Sequence, residues 1–364
     1  MKLKTIVEEL ESFAPKSFQE SYDNSGLIVG SVEMEVKKVL FCLDSTEEVV
    51  EEAIEKGANL IVAHHPIVFT GLKSFTGKNY IERTVIKAIK NDIAIYAIHT
   101  NLDNVSEGVN RVLAQKIGLE ETKIMKPKSG MMKKLVFFCP TLAVEKVRQA
   151  IFKAGAGHIG EYDCCAFQLE GEGSFRAGEN NNPHLGNKGE VHFEKEMRIE
   201  TVLPNYLERK VVQAMIAAHP YEEVAYDLYD LAMPWATVGS GMLGKLAKPM
   251  AAKLFLAHLK KVLKVDCIRH TELVKEQIET VAICGGSGSF LLDAAKAAKA
   301  DVLVTADFKY HQFFDAEGEI VIADVGHYES EQYTSNLLSD IIQSKFPELE
   351  TFITTVNTNP VKYF

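Results

Sequence analysis

Five side chains in the sequence are of the types that build a metal centre: His64, His65, Asp103, His327 and Glu331. Three imidazoles and two carboxylates, with no thiolate, suit a borderline or harder divalent ion: zinc first, then iron, manganese, cobalt or nickel. Five donors exceed what one tetrahedral ion needs. They would serve two ions a few ångströms apart, with a carboxylate as bridge and positions left open for water. Such a pair can generate hydroxide near neutral pH and clamp an oxyanion.

The donors fall in three clusters, each just past a run expected to be a strand. His64-His65-Pro66 follows residues 59–63, His99-Thr100-Asn101-Leu102-Asp103 follows 93–98, and Asp324 to Glu331 follows 319–323. In open α/β sheets, ligands bind outside the carboxyl ends of strands, so clusters far apart in sequence can meet there. Each cluster alone has a plainer reading. A His-His pair is more often incidental, Asp103 could be only a helix cap, and His327/Glu331 could be a solvated pair. Their joint placement favours a site.

Adjacent histidines on a regular strand point to opposite faces. Pro66 lacks an N–H and ends regular pairing, which lets the chain turn and aim both rings at one region. His327 and Glu331, four residues apart, share one helix face. His99 is a lesser candidate, behind the ligands or in the core. The run Gly285-Gly286-Ser287-Gly288-Ser289 lies between an expected strand (281–284) and a helix from Phe290. Bare amides at Gly286, Ser287 and Gly288 could hold a phosphate. The Walker lysine and the dinucleotide spacing are absent, and a flexible tight turn is an equal reading. Asp307, Tyr310 and His311 follow residues 301–305 and are expected to line the same cleft, whereas Asp23-Asn24-Ser25-Gly26 reads as a turn with no assigned role. Neither Gly-x-Ser-x-Gly nor a cysteine–histidine signature is present, so covalent nucleophilic catalysis has no support.

These clusters need strands to carry them. Apolar runs at 39–43, 59–63 and 93–98 read as strands buried on both faces, separated by helical periodicity at 46–56 and 80–90. The middle reads differently: strand 134–139, helix 143–154, strand 196–202, helix 206–219 and strand 224–231, with the Gly/Asn-rich residues 171–183 expected as a long exposed loop or hairpin tip. That order suggests a ferredoxin-like module. An ungapped offset of 242 lays Val39-Leu40-Phe41-Cys42 over Val281-Ala282-Ile283-Cys284 and His65 over Asp307; an offset of 224 lays Asp103 over His327. Any two βαβ units look somewhat alike, and a true duplication is the other reading. The expected fold is therefore α/β: a duplicated, mostly parallel-sheet core with helices on both faces, split by an inserted ferredoxin-like α+β domain. The expected boundaries are 1–128, 129–238 and 239–364.

At 364 residues the chain has room for two to three domains, if about 150 residues make one. With 46% apolar and 25% charged residues it can bury a sizeable core, which argues against disorder. Fifty acidic against forty basic residues give a net charge of −10, a field that repels phosphate backbones and disfavours nucleic acid as partner. No apolar stretch is long enough for a membrane span, and the charged N-terminus does not read as a secretory signal. Six cysteines without a Cys-x-x-Cys pair suit a reducing compartment. A cytoplasmic protein is expected.

Taken in order, Tyr22-Asp23-Asn24-Ser25-Gly26-Leu27, Ala63-His64-His65-Pro66, His99-Thr100-Asn101-Leu102-Asp103, Gly285-Gly286-Ser287-Gly288, Thr305-Ala306-Asp307 and Gly326-His327-Tyr328-Glu329-Ser330-Glu331 resemble the Nif-three-like family, relatives of the yeast NGG-one interacting factor. Members are also labelled GTP cyclohydrolase I type 2 homologs. The resemblance covers most of the chain, and its middle segment is similar to CutA and PII-type proteins. It implies a two-metal site from His64, His65, Asp103, His327 and Glu331, with Glu331 as bridge, and a ring-shaped homohexamer whose sites face an internal cavity. It also implies a small-molecule substrate, GTP, with attack at C8 of the guanine ring, loss of formate, and Asp307 or His311 moving protons. Two other classes stay open. One is a different metal-dependent hydrolase, such as a phosphoesterase using the Gly285 loop. The other is a non-catalytic metal-binding regulator whose middle domain senses a ligand or partner around Arg176.

Overall fold

Runs of Val, Ile, Leu and Ala with no polar alternation become short strands buried on both faces. The computed structural model describes all 364 residues. In chain order the strands are β1 (Gly26–Val29), β2 (Lys38–Cys42), β3 (Leu60–Ala63), β4 (Ala94–Ala97), β5 (Leu119–Lys128), β6 (Met132–Pro140), β7 (Ala166–Arg176), β8 (Val191–Pro204), β9 (Tyr226–Leu231), β10 (Trp235–Ala251), β11 (Arg269–His270), β12 (Gln277–Ser287), β13 (Val302–Ala306), β14 (Val321–Asp324) and β15 (Glu350–Ile353). The chain forms two compact units: residues 1–127 with 236–364, and residues 128–235. No helix is long and apolar enough to cross a membrane.

The first unit holds two mixed sheets. One runs β1-β4-β3-β2-β15, parallel except for β1; the other runs β11-β14-β13-β12-β10-β5, with β12, β13 and β14 parallel and antiparallel neighbours on either side. The expected parallel strands are thus central, with an antiparallel margin at β1 in the first sheet and on both sides of β12–β14 in the second. Val39 pairs with Leu60 and Val281 with Val302, so the offset of 242 carries one register onto the other.

Local sequence starts and stops the helices between them. Thr46 accepts a bond from the Val49 amide at the head of Glu47–Lys56, and Gly57, at φ 69°, closes it. Asn79 caps Tyr80–Lys90 in the same way through the Glu82 amide. The apolar faces of both helices pack against β2, β3 and β4, where Val49, Val50, Ala53, Val85 and Ala88 are buried.

In the second unit all strand pairs are antiparallel, in the order β7-β8-β6-β9, and helices Val144–Lys153 and Glu208–Ala218 cover one face. Of the two readings of 171–183, the hairpin tip is the nearer, but its strand reaches further than expected. Residues 171–176 continue β7 against β8, and the connection begins only at Ala177. A Cβ on Gly173 would lie 2.2 Å from Glu196 Oε2, so this glycine marks close approach within a strand and not a turn.

Candidate metal centre

The carboxyl ends of the parallel strands of both sheets deliver the polar residues. Beyond β2 stands Asp44, beyond β3 His64 and His65, and beyond β4 the short helix Thr100–Asp103. From the other sheet come Asp307, just past β13, and the helix His327–Glu331, just past β14. The His64 and His65 rings lie 4.9 Å apart, as the turn at Pro66 allows.

The Nδ1 of His64 faces the Ile98 carbonyl at 2.9 Å. A carbonyl only accepts, so the proton sits on Nδ1 and Nε2 presents a lone pair. That Nε2 lies 3.6 Å from Asp103 Oδ1 and 3.9 Å from Glu331 Oε1. Both His64 Nε2 and Asp103 Oδ1 are buried and without a hydrogen-bond partner. Nearby, His65 Nε2 and His327 Nε2 each lie 3.0 Å from Glu331 Oε2 and 3.3 Å from each other. Their Nδ1 atoms face carboxylates, Asp44 at 2.7 Å and Asp307 at 2.6 Å. Donor atoms thus converge on Glu331 from two sides, an arrangement that a metal ion or ring protons can satisfy. Two donor groups, His65/His327/Glu331 and His64/Asp103/Glu331, could each hold a metal ion, as could His64/His65/His99.

Without a metal, protons take the cation's place. Burial works against charge on His65, but the hydrogen bonds and charges of Asp44 and Glu331 overcome it and raise the imidazolium to about 9. Burial also opposes charge on His327, yet Glu331 and Asp307 lift it to about 11. Glu331 is held well below the usual carboxylate range, because the charge of His327 and the surrounding imidazole bonds outweigh desolvation. Asp103 moves the other way, raised first by burial and then by the charge of Glu331.

The glycine run packs against this cluster, and two of its amides are taken up within the protein. The Gly285 amide donates to Asn110 Oδ1 and the Gly286 amide to Ser330 Oγ, each at 3.0 Å. The Ser287 hydroxyl donates to Asp307 at 2.6 Å. Gly288 is confined, since an added Cβ would lie 2.3 Å from Thr305 Oγ1. No bare-amide cradle remains at Gly286, and the helix beyond, Leu292–Ala297, is short. Gly286 has φ 62°, and a Cβ there would lie 2.4 Å from Glu331 Oε1. Gly286→Ala is therefore expected to push Glu331 off its position, sharply reducing metal content. It should also cost about 1–3 kcal/mol of left-handed backbone strain, read by chemical denaturation.

Asp307 and His311, both expected to carry protons, part company. Asp307 bonds His327, whereas His311 stacks with Phe314 at 6.4 Å and meets Tyr310 edge-on, lining no wall of the cleft. In the 3-10 helix Tyr310–Ala316, His311 is exposed. His99, ranked low from sequence, lines the cleft with its ring 5.3 Å from those of His64 and His65. Its Nδ1 bonds Asp23 Oδ1 at 2.7 Å, and Asp23, whose side chain is buried, also accepts from the Thr100 amide and hydroxyl. Sequence reasoning missed Asp23 and Asp44 as partners. The only signal for Asp44 was a carboxylate just past a strand, like Asp307. The cleft over the donors measures about 790 Å³ and has aromatic walls from Tyr22, Phe69, Tyr80 and Phe290.

Residues 1–360 match the family described as Duf34/NIF3 (NGG1p interacting factor 3). The chain belongs to this family. Among curated Duf34/NIF3 relatives, the Halalkalibacterium halodurans protein named GTP cyclohydrolase 1 type 2 homolog is 39% identical over 365 residues, covering 99% of this chain and 98% of the relative. A Bacillus subtilis protein of the same name is 39% identical over 364 residues, covering 98% and 97%. The solved Bacillus cereus protein related to NIF3 superposes with a TM-score of 0.88 at 39% identity, covering 100% of this chain and 99% of that one. A Staphylococcus aureus structure reaches a TM-score of 0.80 at 30% identity, with the same coverage.

Proposed function

We propose that this Duf34/NIF3 chain is a dinuclear metal-dependent hydrolase acting on a nucleotide, with GTP, after which its relatives are named, as the substrate to test first. The observation that carries the reading is Glu331. One of its oxygens faces His65 and His327, and the other faces His64 toward Asp103, as a carboxylate shared by two ions requires. A pair of divalent ions, zinc first and then iron, manganese, cobalt or nickel, supplies Lewis-acid chemistry for hydrolysis.

The chain's own residues do the rest. Tyr22 and Phe69, with ring centroids 6.3 Å apart on the cleft wall, offer faces on which a purine can stack. Asp23 fixes the His99 ring through Nδ1, so Nε2 can take a proton from water and return it to the departing nitrogen. In the reaction assigned, the two C8–N bonds of guanine are hydrolysed with one water each, and C8 leaves as formate. Zinc-loaded protein is expected to release formate from GTP, and Glu331→Ala to release none. Equal release by that variant overturns the site.

Within the same reading the two parallel-strand sets are a duplicated unit, supported by their equal registers. The second unit is an inserted ferredoxin-like domain, supported by its strand order. The assembly is a ring-shaped homohexamer.

A further inference from the structure

The residues after β15 do not trail away from the core. The Thr354 amide donates to the Phe41 carbonyl at 2.9 Å. Buried Glu52 then accepts from the Thr354 hydroxyl, from the Thr355 amide at 2.9 Å and from the Thr355 hydroxyl at 2.7 Å. Anchored there, the chain brings two consecutive side chains to the metal centre from behind. The Thr358 hydroxyl donates to Asp44 Oδ2 at 2.7 Å, while the other oxygen of that carboxylate, Oδ1, faces His65 Nδ1 at 2.7 Å. The Asn359 amide donates to Glu329 Oε1 at 2.9 Å, and Glu329 lies midway between His327 and Glu331 on their helix.

We infer that Thr358 is a positioning residue for the metal ligand His65, acting through Asp44, and that the anchored C-terminal segment is a structural part of the metal centre. The inference rests on the metal reading above. A carboxylate that accepts from an imidazole through one oxygen can still swing about its Cβ–Cγ bond. A hydroxyl on the second oxygen fixes its plane, and so the direction in which His65 Nε2 points. Partners of this kind behind a ligand set metal affinity by about 10–100-fold. The Asp44 side chain is about one-third exposed. Water can therefore take over part of the hydroxyl's work, which places the effect at the low end of that range.

The test uses the full-length chain, zinc with a competing chelator, and the visible spectrum of the cobalt(II) form. Thr358→Val is expected to weaken zinc at one of the two positions about tenfold and to alter the cobalt spectrum. Thr358→Ser is expected to restore both. Chelator-treated Thr358→Val should melt at the wild-type temperature, as a purely structural role would not allow. If the valine variant does not fold, Thr358→Ala carries the same expectation. Wild-type affinity in Thr358→Val, or equal weakening in the valine and serine variants with a matching fall in metal-free melting temperature, overturns the assignment alone. A wild-type chain that takes up no zinc overturns the metal centre and this assignment together.

Discussion

Glu331→Ala is expected to empty the metal centre completely, whereas substitutions on either side of it should empty only half. The side chain is 3% exposed, and it is the member common to the His65/His327 and the His64/Asp103 donor groups. Removing it leaves each of these two groups with two donors, too few to hold an ion against water, and an ion left on His64, His65 and His99 would have no carboxylate. His327→Ala removes a donor from one group only, and Asp103→Ala from the other, so each should keep close to one ion per chain. Elemental analysis of protein purified without chelator separates these outcomes. A companion thermal measurement should agree: ligand at 1,000 times its Kd stabilises a fold by about 4 kcal/mol, and that gain should vanish in Glu331→Ala. Metal retained at one ion per chain in this variant would show that the two groups do not share it.

Acidity should act in opposite senses on the metal-free and metal-loaded forms. A histidine with a raised folded pKa contributes stability that is complete below its unfolded value, about 6.5, and is lost as pH rises through the folded one. The metal-free chain should accordingly lose stability from about pH 6.5 upward, through about 9 for His65 and about 11 for His327. The raised carboxyl of Asp103 pushes in the same direction. Metal needs the same Nε2 lone pairs free, so binding must expel the protons of both rings. Affinity should then rise with pH by about two decades per unit between about 7 and 9, more steeply below that where Asp103 also holds a proton, and by about one decade per unit between about 9 and 11. Chelator competition at a series of pH values from mildly acidic to alkaline reads this directly. A flat profile would mean that the rings carry no protons before metal arrives.

Where burial dictates the residue, the sequence was legible. The doubly buried runs at 39–43, 59–63 and 93–98 are β2, β3 and β4 to within a residue or two at each end, because a strand covered on both faces has nothing polar to offer. The helix Tyr80–Lys90 stands where its periodicity and the Asn79 cap put it. The two-residue β11, the four-residue β15 and the antiparallel margins carried no comparable signal, because an edge strand is specified by its neighbour more than by its own residues. The glycines misled for a related reason. At Gly173 and Gly286 the missing side chain makes room for a glutamate, and composition cannot distinguish that from a turn. The five proposed ligands were visible because histidines and carboxylates gather in three clusters just past buried strands. Asp23 and Asp44 were not, because a residue that orients a ligand is defined by a partner far along the chain.

The place of β15 has a consequence for how the protein is made. This strand pairs in parallel with β2, Glu350 opposite Lys38 and Ile353 opposite Phe41, so one sheet is closed by residues from opposite ends of the chain. A ribosome releases β15 about three hundred residues after β2. Until then β2, which carries Leu40 and Phe41, is an open edge, a surface other chains can pair with. The segment 128–235 is continuous and can close as soon as it emerges. Folding of the first unit, by contrast, waits for β15, and its long-range pairings make it the slow step. A ribosome stalled before codon 350 should hold a folded middle unit and an N-terminal sheet that proteases still cut.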